Sequence, residues 1–284
     1  MGTSASSMGP GAGASLDPEW LDDIELPNQE NMQLDDLNDD NSEKNNQSEK
    51  EKLNDSKKIE IAPKYRFASA RRGMREYVRS GSKDSLRKAL GHYSKTGMGG
   101  ARKLSKRMRT STKVATNFFQ TFQALRDNKN FALGKILLEL QGRGANANEI
   151  IDTIIDNVCP NGGSLDEVSC RNSGRFALSE FMNQNPDADI SKLTDDQIWS
   201  LTSTFLGNEA FSRIQLDIGQ VFEKQDVSTV EQRVDKMNEM KEYLESEISA
   251  QLNKLRKLGD QTIDMQELFR TAIKNTFEVY EGEI

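Results

Sequence analysis

From Leu104 to Tyr280 the apolar residues recur at intervals of three and four, and that period constrains the fold more than any other feature of the chain. Leu104, Met108, Ala115, Phe118, Phe119, Phe122 and Leu125 predict one long helix after the Gly97, Gly99, Gly100 turn. Residues 130–141 follow, with Phe131, Ile136, Leu137 and Leu140 on one face and Gly142 and Gly144 at the end. Residues 147–158 carry Ile150, Ile151, Ile154, Ile155 and Val158, stopped by Cys159-Pro160. Ser164 with Glu167 reads as a capping box for a helix bearing Leu165, Val168, Phe176, Ala177 and Phe181. Thr194 with Gln197 opens another, with Ile198, Trp199, Leu201 and Phe205. Gly207 separates it from a helix with Phe211, Ile214, Ile218, Val221 and Phe222. Ser228 with Glu231 opens the longest helix, whose Val234, Met237, Leu244, Ile248, Leu255 and Leu258 keep a near-heptad spacing broken by Lys241 and Gln251. A long bundle helix and a coiled-coil strand both fit that spacing. The last helix starts at Asp264, boxed by Glu267. No segment calls for a strand, so the expected fold is all-α: a helical bundle of about seven or eight helices over roughly residues 65–284.

The 284 residues carry a net charge of −7, but in blocks. Residues 17–62 hold 15 acidic and 5 basic side chains, net −10; residues 63–113 hold 16 basic and 2 acidic, net +14; the remainder is net −11. No run of about eighteen apolar residues reads as a membrane span, and the N-terminus lacks the basic and apolar regions of a secretory signal. A cytoplasmic location is expected, without membrane association. Two cysteines, Cys159 and Cys170, stand eleven positions apart, which matches no zinc spacing; they read as free, partly buried thiols. With His92 as the single histidine, no triad, metal site, cofactor motif or isolated carboxylate pair stands out, and the expectation is a non-enzyme.

The apolar period is missing from the first sixty residues. Residues 1–20, MGTSASSMGPGAGASLDPEW, hold no charge before Asp17 and are mostly Gly, Ser and Ala, so ordering them gains little buried area for the entropy lost. Residues 21–62 read as a disordered acidic linker, one use of which would be to compete with nucleic acid for the basic segment that follows. Trp20, between Pro18 and Leu21, is a large aromatic with nothing in its own segment to pack against, which suits a partner surface. Gly2 is small enough to permit loss of Met1 and so to expose a free amine. Met1-Gly2 with Ser6 also fits the loose myristoylation template, though no basic cluster supplies a second anchor.

Residues 63–128 form a basic helical segment continuous with the bundle at 129–284. Short helices are expected at 69–78 and 82–92, with Tyr65, Phe67, Tyr77 and Tyr93 interleaved among the cations, a pattern that suits a nucleic acid or another polyanion. The turn at Gly99 and Gly100 leads into a helix bearing Arg102, Lys103, Lys106 and Arg107. These six residues form a candidate anion or nucleic-acid site, with a plain connecting loop as the alternative.

The N-terminal string, together with GMGGARKLSKRMRTS and IIDNVCPNGGSLDEVSCRNSGRFALSEFM, resembles the QatB family, the B component of the four-part Qat anti-phage defence system of bacteria. Residues 30–60 look like an insertion, and Pro18-Glu19-Trp20 stands where the family is associated with Pro-Pro-Trp. The resemblance implies partners: an ATPase, a TatD-type nuclease, and QatC, a protein similar to preQ0 synthase that would activate a deazaguanine carboxylate and join it to the Gly2 amine. An α-amine, with an ordinary pKa of about 8, offers more neutral nucleophile than lysine does. Residues 3–16 would thread into the partner's cleft, with Pro18, Trp20 and Leu21 docking outside it. Two other functions remain open at this level: a helical nucleic-acid-binding protein, or a scaffold joining the ATPase and the nuclease.

Overall fold

The computed structural model describes residues 65–159, 163–223, 229–258 and 264–284. Gly2, Pro18, Trp20, Leu21, the expected tail and the acidic linker lie outside the described residues, as does Ser228. Among the described residues every regular element is helical and none is a strand, as the periodicity predicts. In chain order the helices are α1 (Ala68–Ser80), α2 (Lys83–His92), a π-helical turn (Tyr93–Gly97), α3 (Ala101–Arg107), α4 (Arg109–Arg126), α5 (Phe131–Gly142), α6 (Ala147–Val158), α7 (Leu165–Gln184), α8 (Asp195–Ile218), the single turn α9 (Gln220–Glu223), α10 (Val230–Leu258) and α11 (Met265–Glu281).

The starts of α2, α5, α6, α7, α8 and α10 each carry a side chain that satisfies an orphan amide. Ser164 and Glu167 form the expected reciprocal box on α7, and Thr194 and Gln197 that on α8. On α10 the box forms one residue later than expected: Gln232 N–H donates to Thr229 Oγ1 at 3.3 Å, and Thr229 N–H donates to Gln232 Oε1 at 3.1 Å. Asp264 caps α11 without a side-chain hydrogen bond, and the Glu267 side chain is ion-paired with Arg270 instead of completing the expected box.

Two boundaries differ from the periodic reading. The expected helix through Leu104 and Leu125 is two helices, parted at Met108, whose backbone leaves the helical region at φ −86°, ψ 23°. Conversely, Gly207 does not end a helix; α8 runs through it for 24 residues. Glycine is needed there for spacing, since a Cβ would lie 2.7 Å from Glu245 Cα on α10. The two longest helices therefore pack backbone to backbone.

That packing also decides the role of α10. Its buried row is Met240, Leu244, Ile248 and Leu252, laid against α8 and α11, so it is a bundle helix of its own chain. The faces of α5 and α7 differ from expectation too. Leu133, Leu137 and Leu140 form the inner row of α5, whereas Phe131 and Ile136 are exposed. On α7 the inner row is Cys170, Ser173, Gly174, Ala177, Leu178 and Phe181, while Leu165, Val168 and Phe176 face outward. Small residues are required at that contact: a Cβ on Gly174 would lie 2.5 Å from Ile155 and 3.0 Å from Phe118. Among the described residues the buried apolar side chains form one continuous cluster from Phe67 to Tyr280. Each fully buried Phe or Leu contributes roughly 1.5–3 kcal/mol.

Candidate functional site

The aromatics of the basic segment are core residues, which changes what that segment can offer a ligand. Phe67, Tyr77 and Tyr93 are at most 3% exposed, and only Tyr65 of the interleaved four stands on the surface. On α1 the inward row is Ala70, Met74, Tyr77 and Val78. The Tyr77 hydroxyl reaches α10, donating to Lys236 O at 3.1 Å and Glu239 Oε2 at 3.2 Å. Phe67 stacks on Tyr93 at 5.6 Å, and Tyr93 in turn packs on Phe277 of α11.

Behind these rings lies a charged cluster at the end of α8. Tyr93 Oη donates to Asp217 Oδ2 at 2.8 Å, and Arg71 Nη2 donates to the Asp217 carbonyl at 3.1 Å. Arg213 bridges outward, donating to Asp166 Oδ1 at 3.0 Å and to the Arg107 carbonyl at 3.4 Å. Burial pushes the Asp217 carboxyl above its ordinary range, opposed by the Tyr93 hydrogen bond and then by Arg213, Arg66 and Arg107. Burial and the Asp217 charge push the Tyr93 phenol well up, so it stays a donor. Arg71 thus serves a carbonyl at the end of α8, where unsatisfied carbonyls favour cations, and Arg213, Arg66 and Arg107 add positive charge around the carboxylate.

A second polar cluster sits two turns earlier on α8, and its hydrogen bonds among the described residues come from hydroxyls and a thiol. Glu209, 4% exposed, accepts from Ser111 Oγ of α4 at 2.7 Å and from three groups of α7: Ser169 Oγ at 2.9 Å, Ser173 Oγ at 2.6 Å and Cys170 Sγ at 3.3 Å. Asn208 Nδ2 completes the network by donating to Ser173 Oγ at 2.8 Å. Sequence reasoning missed this carboxylate. The available signal was its place on the apolar row of Leu206, Ala210 and Ile214, facing the serines at 169 and 173. Both thiols are free and buried; burial pushes Cys159 up to about 12 and Cys170 higher still, with Glu209 adding to the rise. Such thiols are poor nucleophiles. Among the described residues no three His, Cys, Asp or Glu side chains are placed to hold a metal ion.

The proposed anion-site residues separate on α3. Gly99 and Gly100 take positive φ, 79° and 109°, and Gly100 donates its N–H to Ser94 O at 2.9 Å, closing the turn that follows the π-helical segment. Arg102 is exposed and Lys106, one turn on, is half-buried on the same face. Lys103 and Arg107 share the neighbouring face, where Arg107 Nη1 lies 4.0 Å from Met98 Sδ. Among the described residues no helix is long and apolar enough to cross a membrane.

No curated protein and no solved structure matches this chain. One family does: that described as the Qat anti-phage system associated protein QatB matches residues 99–280, from the Gly99 turn through α3 to the last turn of α11. The match spans nearly two thirds of the chain and takes in the Glu209 cluster, the close α8–α10 contact and the exposed face of α3. The chain belongs to the QatB family of the Qat anti-phage system.

Proposed function

We propose that this protein is the non-enzymatic member of its defence system and acts in the bacterial cytoplasm as a substrate: its Gly2 amine, freed by loss of Met1, receives a deazaguanine base from the preQ0-synthase-like partner, QatC. Membership of the QatB family carries the reading, together with an N-terminal string that lies outside the matched residues and resembles that family. In the reaction, the partner would use ATP to convert the deazaguanine carboxylate to its adenylate, releasing pyrophosphate. The neutral Gly2 nitrogen attacks the acyl carbon, an amide bond forms, AMP leaves, and the amine's surplus proton passes to solvent. Glycine at position 2 leaves that nitrogen unhindered, and the uncharged residues 3–16 present nothing that a narrow cleft must desolvate at high cost. Pro18, Trp20 and Leu21 supply an apolar anchor for the same partner. The buried thiols and the hydrogen-bonded Glu209 support assigning the chemistry to the partner, since neither is presented to a substrate.

Intact-mass measurement of the chain co-expressed with the other three components tests the proposal. The expected result is a mass gain of one deazaguanine acyl group, located by fragmentation on Gly2 and absent when QatC is omitted. Gly2→Glu should retain Met1, lose the modification and abolish defence while leaving the helical circular-dichroism signal unchanged. An unmodified N-terminus with all four components present, or full defence by Gly2→Glu, overturns it.

A further inference from the structure

Arg102 and Lys106 stand at i and i+4 on α3, and Arg109 and Lys113 at i and i+4 on α4 beyond the break at Met108, so each pair shares one face of its helix about one turn apart, ~5.4 Å. Three are exposed and Lys106 is half-buried. None has a hydrogen-bonded or ion-paired acid among the described residues. Five arginines elsewhere on the bundle are ion-paired: Arg126 with Asp195, Arg143 with Glu149, Arg171 with Asp156, Arg175 with Asp152 and Arg256 with Asp196. A fifth cation comes from far along the sequence. Arg270 lies on α11, which packs on α3 and α4; burial, then Arg102 and also Arg109, hold its guanidinium below the ordinary range, against the pull of Asp264. Like charges from three helices are thus gathered on one side with Glu267, the ion-pair partner of Arg270, as the nearest compensation.

The rest of that face limits what it can bind. The apolar residues of α3 and α4, from Leu104 to Leu125, are buried, and the exposed large apolar side chains all belong to other segments. A protein interface would lack its apolar centre here, and a base would find no ring to stack on. A row of charge remains, half of it arginine, whose fork suits two phosphate oxygens.

We propose that the stripe of Arg102, Lys106, Arg109 and Lys113, flanked by Arg270, is a docking surface for the sugar-phosphate backbone of a nucleic acid, bound without base recognition. The surface acts independently of the Gly2 reaction, so each reading stands or falls on its own experiment.

The test uses the full-length chain expressed alone and a labelled mixed-sequence DNA, as duplex and as single strand, titrated across a salt series. Four phosphate contacts give a slope of log K against log salt of about −3 to −4, with little difference between base sequences. Neutralising the stripe (R102Q, K106Q, R109Q and K113Q together) should weaken binding more than tenfold and flatten the slope, while Arg143→Gln with Arg175→Gln on the ion-paired surface leaves both unchanged. Should the fourfold variant fail to fold, Arg109→Gln alone is read, with the slope reduced by about one. Absence of salt-dependent binding by the wild type, wild-type affinity in the neutralised chain, or binding of polyglutamate in place of DNA overturns the proposal.

Discussion

Asp217 and Glu209 lie two turns apart on the same helix and are held by opposite chemistry. Asp217, half-buried at the end of α8, accepts from a tyrosine hydroxyl and lies in the field of Arg213, Arg66 and Arg107. Glu209, in the middle of α8 and nearly sealed from solvent, takes its hydrogen bonds among the described residues from three serine hydroxyls and a thiol. The helix itself accounts for part of the difference: its last carbonyls concentrate negative charge beside Asp217, whereas backbone dipoles cancel along the middle. Part of the positive charge of residues 63–113 is therefore structural. Arg66 and Arg71 are committed to the fold, and only the outward cations are available to a partner.

The largest expected effect comes from removing Glu209. Glu209→Ala strands three hydroxyls and a thiol inside the α4–α7–α8 contact and should cost about 3–5 kcal/mol in a denaturant titration, whereas Glu209→Gln, which keeps one acceptor, should cost less. Equal losses from the two substitutions would show that packing, and not hydrogen bonding, holds this region. Next, Asp217→Ala should cost about 2 kcal/mol, because it leaves the Tyr93 hydroxyl without its acceptor and removes the negative charge that faces Arg213, Arg66 and Arg107, while the Arg71 bond to the backbone carbonyl survives. If Asp217→Ala proves neutral, the two clusters are not comparable.

Acidity separates the two regions more finely. The folded state raises the Asp217 pKa, so between the ordinary carboxylate value and the raised one the native chain holds a proton that the unfolded chain has lost. Its contribution is greatest below the unfolded value and falls as pH rises through the folded value. The stability difference between wild type and Asp217→Asn should therefore move against the wild type from about pH 4 upward, as read from thermal midpoints at stepped pH. A difference that stays flat would place the arginines in full control of the carboxylate. At the thiols, Cys159 should hold about a thousandfold less thiolate than an ordinary cysteine and resist a maleimide until the chain is unfolded. Fast labelling of native protein would show that the Glu209 region opens. The smallest effect belongs to the outer stripe, where Arg109→Gln should change stability by no more than about 0.5 kcal/mol.

The sequence made the helical class legible because helix-spaced apolar residues and the boxes at Ser164 and Thr194 agreed with one another. It misled where one pattern serves two purposes. Aromatics alternating with cations describe a nucleic-acid surface, but they equally describe α1, whose Tyr77 and Met74 face the core while Arg72 and Arg75 face solvent. Gly207 reads locally as a helix end because its actual reason, the backbone of α10, is nearly forty residues away. Glu209 stayed hidden for the same cause: its acceptors' partners sit on α4 and α7, and no local rule marks a carboxylate as buried. Of the candidate anion site, the spacing of Arg102 and Lys106 could be read in advance, while the convergence of Arg109 and Arg270 depends on the break at Met108 and on how α11 lies.

The contact at Gly207 also sets the terms on which the sequence can drift. Most core positions accept exchange among side chains of similar volume, since neighbours repack to fill or yield space. Position 207 has no such latitude, because the atom it would strike is a main-chain carbon of Glu245 that cannot rotate away. In a saturation library scored for folded protein, this site should retain glycine alone while Leu206 next to it tolerates other aliphatics, and a second-site search rescuing Gly207→Ala should find its changes along α10, where the helix can be eased outward.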